Sequence, residues 1–169
     1  MPPTDCDPHS RSSVADPPAR RFVRVALYQR SPTFGESDFL QSYVASQPDW
    51  RIALRSRDDG SGATLKRPGL QRVLAAARSG NIDVLVVKHI YNLSRTTRHL
   101  ADLLDEVTSL GVRVVSAADP GLDTGSPFGL FLVRVVNAVA EIEYTGALVD
   151  RRDRLRRKQE SVDESPLAS

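Results

Sequence analysis

The chain is 169 residues long, 40% hydrophobic and 26% charged, a composition that fits one water-soluble domain of the usual ~100–200 residues. Its single cysteine, Cys6, excludes an internal disulfide framework, no apolar run approaches the ~18 residues of a membrane span, and the first residues lack a signal-peptide core, so a cytoplasmic protein is expected. The formal charge is only +2, but Arg151, Arg152, Arg154, Arg156, Arg157 and Lys158 crowd together against Asp153 alone, while acidic and basic groups cancel over residues 1–150.

Residues 1–20 hold five prolines and almost no large apolar groups, too little to offset the entropy of ordering, and a flexible arm is expected there. The pattern changes at Phe22: Phe22–Tyr28 reads as a buried strand, followed by a loop through Gly35. Ser37–Ser46 reads as a helix with Phe39, Leu40, Tyr43 and Val44 on one face and Ser37 as its cap. Trp50–Arg55 is a second strand and 58–64 a loop. Pro68 then opens a helix whose Leu70, Val73, Leu74 and Ala77 turn inward until Gly80 stops it. Ile82–Val87 is apolar enough for a strand buried on both faces. Thr97–Leu110 is an amphipathic helix with Leu100, Leu103, Leu104 and Val107 inward, and Val112–Ser116 is a strand after the Gly111 turn. Strands alternating with helices predict an α/β fold, a mainly parallel open sheet flanked by helices, over residues 21–126.

From Pro127 onward, Phe128, Phe131, Leu132, Val135, Val136, Val139 and Ile142 keep a helical stripe that leads into the basic cluster. A helix over 127–158 would be ~45 Å long, more than this domain can cover, so its apolar face predicts an oligomer interface with the basic end projecting away. The alternative is a core helix that stops near Gly146 with a basic tail beyond it. Residues 159–169 are expected to be a disordered tail.

Three clusters follow the ends of successive strands: Arg30-Ser31, Asp58-Asp59, and Lys88-His89 with Ser94-Arg95. Loops at such positions build the sites of open parallel sheets. A crevice of arginines, hydroxyls and carboxylates would suit phosphate, because guanidinium offers paired donors and a permanent charge. Plainer readings stand beside this one. Arg30, Arg67 and Arg95 can be surface ion-pair partners, Asp58-Asp59 a turn signal, His99 a residue on an exposed helix face, and Tyr91 and Tyr144 interface or surface aromatics. The glycines match neither a P-loop nor a dinucleotide fingerprint, and His9, His89 and His99 lack metal-ligand spacing, so no cofactor and no metal is expected.

Tyr28-Gln-Arg30 after a strand, Asp58-Asp-Gly-Ser-Gly62, Arg67-Pro-Gly-Leu70, Leu93-Ser-Arg95 after the Ile82–Val87 strand, and Ser126-Pro-Phe-Gly129 opening a long helix occur in one order. In this the chain resembles the catalytic domain of serine recombinases of the resolvase/invertase type, from about Val23 to Arg157. The resemblance implies a resolvase-like fold with a long C-terminal dimerisation helix. It also implies a chemistry in which a serine after the first strand attacks a DNA phosphodiester, leaving a phosphoserine link and a free 3′-hydroxyl, without metal or cofactor. Tyr28, Arg30, Asp58, Arg67 and Arg95 match active-site positions of the family, and Ser61 a position near them.

Three departures bear on activity. The family pattern Tyr-x-Arg-x-Ser reads here Tyr28-Gln-Arg30-Ser31-Pro32, so the nucleophile position is Pro32 and Ser31 stands one residue early. The pattern Asp-Arg-Leu-x-Arg reads Tyr91-Asn92-Leu93-Ser94-Arg95, and Tyr144 replaces an arginine on the long helix. Losing one catalytic group commonly costs ~10²–10⁴-fold in rate. The expectation is a DNA-associated domain unable to cleave by itself, acting as a dimerising or regulatory partner, of an active recombinase for example. The alternative is an active recombinase with Ser31 as displaced nucleophile. A homodimer or homotetramer through 127–158 is expected. DNA binding through Arg151–Lys158 would be weak and backbone-directed, since no base-reading element follows.

Overall fold

The computed structural model describes residues 22–30, 35–59, 66–119 and 121–163, with side chains as far as Arg157. The expected arm at 1–20, Ser31, Pro32, Ser61, the side chain of Lys158 and residues 164–169 lie outside that set.

The elements follow one another as β1 (Val23–Arg30), α1 (Glu36–Ala45), β2 (Trp50–Asp58), α2 (Pro68–Arg78), β3 (Val84–Val87), α3 (Thr97–Ser109), β4 (Arg113–Ser116) and α4 (Pro127–Asp163), with a single 3-10 turn at Ile90–Asn92. The four strands form one parallel sheet in the order β2-β1-β3-β4. Among the strands, expected and observed bounds differ most in β2, which runs on to Asp58, and in β1, which runs on to Arg30. Both extensions are polar at their ends, and the parallel ladder pairing Arg30 with Asp58 carries them.

Period-two alternation divides β1 between two cores. Val25 and Leu27 pack with Leu40, Val44 and Trp50 on the α1 side. Ala26 and Tyr28 pack with Leu70, Val73, Leu103, Leu104 and Val133 on the side of α2, α3 and α4. β3 and β4 are buried on both faces, as the unbroken apolar run Val84–Val87 anticipates. The order reverses between β1 and β3, so their C-terminal ends border the crevice where open α/β sheets place ligands.

Two local expectations are corrected. Ser37 does not cap α1; Gly35 holds that position, and the Ser37 hydroxyl donates to Gln29 Oε1 at 3.1 Å. Phe39 lies on the exposed side of α1, whereas Leu40 and Val44 are buried, because one narrow stripe of this helix meets the sheet.

α4 spans 37 residues, about 55 Å. It passes Gly146 without a break and continues to Asp163, so the alternative of a helix ending near Gly146 does not hold, and the tail expected to be disordered from 159 is helical as far as Asp163. Gly146 faces open space and costs the helix only the usual glycine penalty of ~1 kcal/mol. One face of α4, carrying Gly129, Val133, Val136, Asn137 and Ala140, lies toward α3. Gly129 lets the first turn of α4 sit against the loop before it, because a Cβ at this position would run into the main-chain carbonyl of Asp123. Polar contacts reinforce the seam: Arg98 pairs with Glu141 at 3.3 Å, lies over the Tyr144 ring at 5.5 Å, and Asn137 donates to Asp105 at 2.7 Å. His99 is half-buried on α3, so its expected place on an exposed face is also corrected.

Candidate functional site

The parallel register that sets Tyr28 opposite Ser56 and Arg30 opposite Asp58 gathers the first group of candidate residues. Tyr28 is fully buried, and its hydroxyl donates to Asp58 Oδ2 at 3.0 Å while accepting from Arg67 Nη1 at 2.7 Å. Burial, opposed by the charge of Arg67, raises the Tyr28 phenol well above the usual tyrosine range, so it remains a neutral donor. The Asp58 carboxylate also accepts the main-chain N–H groups of Gly69 and Leu70, each at 2.8 Å. These are the first-turn donors of α2, which otherwise lack partners, and an anion at a helix N-terminus is favoured by the helix dipole. Arg67, at the N-cap, has no capping side-chain bond; the cap comes from the end of β2 instead. Gly69 permits this approach, since a Cβ there would lie 2.6 Å from Arg57 O and 2.8 Å from Asp58 Oδ2.

Arg30 and Arg67 are 6% and 2% exposed, which rules out the reading of these two as surface ion-pair partners. Both guanidinium groups turn onto the main chain that follows β3. Arg30 donates to Asn92 O at 3.1 Å and Tyr91 O at 3.2 Å. Arg67 donates to Asn92 O at 3.2 Å and, closely, to Leu93 O. Burial first, then the charges of Arg95 and Arg67, draw the Arg30 pKa below the ordinary arginine value. Arg30 is thus a buried cation within reach of two other arginine charges.

Arg95 is exposed and makes no hydrogen bond or ion pair with any described residue; it stands at the rim. With Arg30, Lys88, His89, Tyr91 and Asn92 it lines a small cavity in which the buried Glu36 is the one carboxylate among the described residues. Asn92 Nδ2 faces Glu36 Oε1 at 3.5 Å. His89 is oriented by Asp119, with Nδ1 2.9 Å from Oδ1. Burial opposes ionisation of Asp119, but hydrogen bonds from Ser116, His89 and the Ile90 N–H outweigh it and hold that carboxyl below its usual value.

The structure thus brings Tyr28, Arg30, Asp58 and Arg67 into one bonded cluster and sets Arg95 beside it. Ser31 and Ser61 lie outside the described residues. Arg151, Arg152, Arg154, Arg156 and Arg157 are all exposed on the far part of α4 and do not line the crevice. Glu36, Asn92 and Asp119 were not among the sequence candidates. A glutamate in the first turn of α1 is an ordinary dipole partner on sequence alone, and Asp119 looks like a loop residue until the fold brings it to His89. Among the described residues no group of His, Cys, Asp or Glu could hold a metal ion, and no helix is long and apolar enough to cross a membrane.

Residues 28–162 match the family model for the resolvase N-terminal domain. The chain is a serine recombinase catalytic domain of the resolvase family. Serine recombinase PinR of Escherichia coli K12 is 37% identical over 124 residues, 71% of this chain and 62% of that protein. The probable DNA-invertase y4cG of Sinorhizobium fredii is 39% identical over 87 residues, 52% of this chain and 28% of that protein. The DNA-invertase of Escherichia phage P1 is 40% identical over 86 residues, 51% and 45% respectively. The match thus spans less than half the length of the last two relatives. Among solved structures, the N-terminal catalytic domain of TP901-1 integrase superposes with a TM-score of 0.66 at 26% identity, covering 72% of this chain and 97% of that one. A resolvase family site-specific recombinase from Streptococcus pneumoniae shares the fold, with a TM-score of 0.67 at 18% identity over 82% and 99% of the two chains.

Proposed function

We propose that this recombinase domain self-associates and binds DNA but does not cleave it unaided, serving as a dimerising or regulatory partner, for instance of an active recombinase. One observation carries the reading. The guanidinium groups of Arg30 and Arg67 are engaged by carbonyl oxygens of Tyr91, Asn92 and Leu93, the segment in which Tyr91 and Asn92 stand where the family carries Asp and Arg. Donors held by the main chain are not offered to a scissile phosphate. Pro32 at the nucleophile position agrees, since it has no hydroxyl to attack phosphorus and release the 3′-oxygen.

The partner surface is the outer face of α4. Phe128, Phe131, Val135, Val139 and Ile142 recur at alternating three- and four-residue intervals, the 3.5-residue average of a helix–helix seam, and each is between 40% and 72% exposed. A second copy of α4 fits this stripe, giving a homodimer. Beyond it the exposed arginines of 151–157 supply sequence-independent contacts to DNA phosphates, whose affinity falls steeply with salt.

The test is covalent trapping. The full chain, fused at its C-terminus to a DNA-binding domain of known site, is incubated with supercoiled DNA carrying paired sites, beside an intact family member in the same fusion. The proposal expects adducts from the control alone. An adduct on Ser31 would establish instead an active recombinase with a displaced nucleophile.

A further inference from the structure

A cavity of about 220 Å³ lies where α3, β4 and the first turns of α4 meet, and the arginine cluster does not line it. α3 contributes Leu100 and Leu104, β4 contributes Val114, and α4 contributes Leu132, Val133 and Val136. Ile90 and Leu122 complete the apolar wall. Thr124 is the one residue with a polar side-chain atom among the described lining residues, and its hydroxyl already accepts from the Val114 N–H at 2.8 Å. With no charge in the lining, the wall offers dispersion contacts and nothing to solvate an ion.

The segment between β4 and α4 holds part of this wall in place. The Thr124 N–H donates to Val114 O and the Ser116 N–H to Leu122 O, each at 2.9 Å, and Arg113 pairs with Asp123 between them. A wall tied to the sheet by main-chain hydrogen bonds is pre-organised, so binding against it costs little in ordering. Leu100, Leu122, Leu132 and Val136 are half-buried, which gives the cavity a mouth on that side through which a small molecule can enter.

The outer stripe of α4 does not supply the occupant. At 3.6 residues per turn, Leu132, Val133 and Val136 point roughly 100° around the helix from Phe128, Phe131, Val135, Val139 and Ile142. A second α4 laid along that stripe therefore leaves the cavity to one side. Size and chemistry define what fits instead. An apolar cavity of ~150 Å³ lined by Leu, Ile and Phe takes benzene, so this larger one has room for a substituted benzene or a fused bicyclic ring. It is smaller than the ~300–1,000 Å³ of sites that take larger ligands. A charged group would lose its hydration and gain no partner.

We propose that the cavity between α3, β4 and α4 binds one small uncharged aromatic molecule, of the size of toluene to indole. The bound molecule touches both helices and the strand at once, so it favours the docked position of α4. The site is independent of the proposed function and stands whether or not the domain cleaves DNA.

The experiment titrates the full chain with toluene, indole and benzoate by calorimetry, while NMR follows the leucine and valine methyl groups. Toluene and indole are expected to bind roughly ten-fold or more tightly than benzoate, whose carboxylate finds no partner in the wall. Their binding should shift the methyl signals of Leu100, Leu104, Val114 and Val136 and raise Tm. Val136→Trp, from α4, and Leu122→Trp, from the segment before it, each set an indole ring in the cavity. Either should weaken toluene binding roughly ten-fold or more, because ring and ligand would overpack the same space. Circular dichroism checks that each variant is folded, and one folded variant is enough to decide. Toluene bound as tightly by a folded tryptophan variant as by the parent would place the ligand elsewhere and overturn the site. Benzoate bound as tightly as toluene would overturn the apolar assignment. Failure of both toluene and indole to bind the parent would overturn the proposal outright. Methyl shifts at these residues that follow protein concentration in place of ligand would also overturn it, by assigning the cavity to a side chain of a second copy.

Discussion

Replacing Asp58 by alanine tests whether this carboxylate is architectural. It accepts from the Gly69 and Leu70 N–H groups at 2.8 Å and from the Tyr28 hydroxyl at 3.0 Å, at a position only 8% exposed. Loss of a helix cap costs ~0.5–2 kcal/mol. Stranding a buried hydroxyl adds ~1–3 kcal/mol, reduced here because the Tyr28 oxygen still accepts from Arg67. The expected destabilisation is ~2–4 kcal/mol, a large part of the ~5–15 kcal/mol by which domains are stable. Asp58→Asn keeps one acceptor but turns an amide N–H toward a backbone donor, and should lose about half as much. Urea unfolding followed by far-UV circular dichroism reads both, through the midpoint at constant m. An alanine variant within ~0.5 kcal/mol of the parent, the usual range for inconsequential surface changes, would refute the capping argument. In that case the place of Asp58 in the cluster would need a purely catalytic explanation.

The remaining predictions concern α4 and acid stability. Gly129→Ala should destabilise by the ~1–3 kcal/mol typical of overpacking, because the added Cβ meets the Asp123 carbonyl; unfolding at parental stability would mean α4 docks more loosely than described. Ile142→Arg, at a position 72% exposed, should convert a homodimer to a monomer in sedimentation velocity with the circular dichroism spectrum intact. A parent that already sediments as a monomer at high concentration would remove the α4 seam as an interface. The Arg113 hydrogen bonds hold the Asp123 carboxyl below its usual pKa, against the opposing effect of burial. The stability this contributes is present above the ordinary carboxylate value of ~3.9 and disappears as pH falls through the lower folded value. Asp123→Asn should therefore flatten the loss of stability below pH ~4; an acid-unfolding curve parallel to the parent's would argue against the linkage.

Much of this fold was legible in the sequence because period and punctuation agreed. The apolar run Val84–Val87, the Pro68 start of α2 and the stripe on α3 each point to one element, and the parallel sheet follows from their alternation. The α1 cap misled because Gly35 and Ser37 are both plausible at a helix start, and the choice is made by Gln29 on a neighbouring strand. The continuity of α4 through Gly146 was ambiguous for a related reason: a glycine that meets nothing is tolerated, and sequence alone does not reveal open space. At the site, the residue types were visible but their engagements were not. Arg30 and Arg67 look alike in sequence to the exposed Arg95, and only the position of the Tyr91–Leu93 carbonyls separates them. Glu36 and Asp119 enter through contacts with Asn92 and His89, more than fifty and about thirty residues away.

The central claim is that this domain keeps the recombinase scaffold without strand cleavage, and covalent trapping addresses it most directly. The full-chain fusion, its Ser31→Ala variant and an intact family member are compared on the same supercoiled DNA, with adducts separated under denaturing conditions and mapped to the linked residue. The account predicts adducts from the intact member and none from either form of this chain. A protein–DNA adduct formed by the parent chain and lost in Ser31→Ala would contradict it.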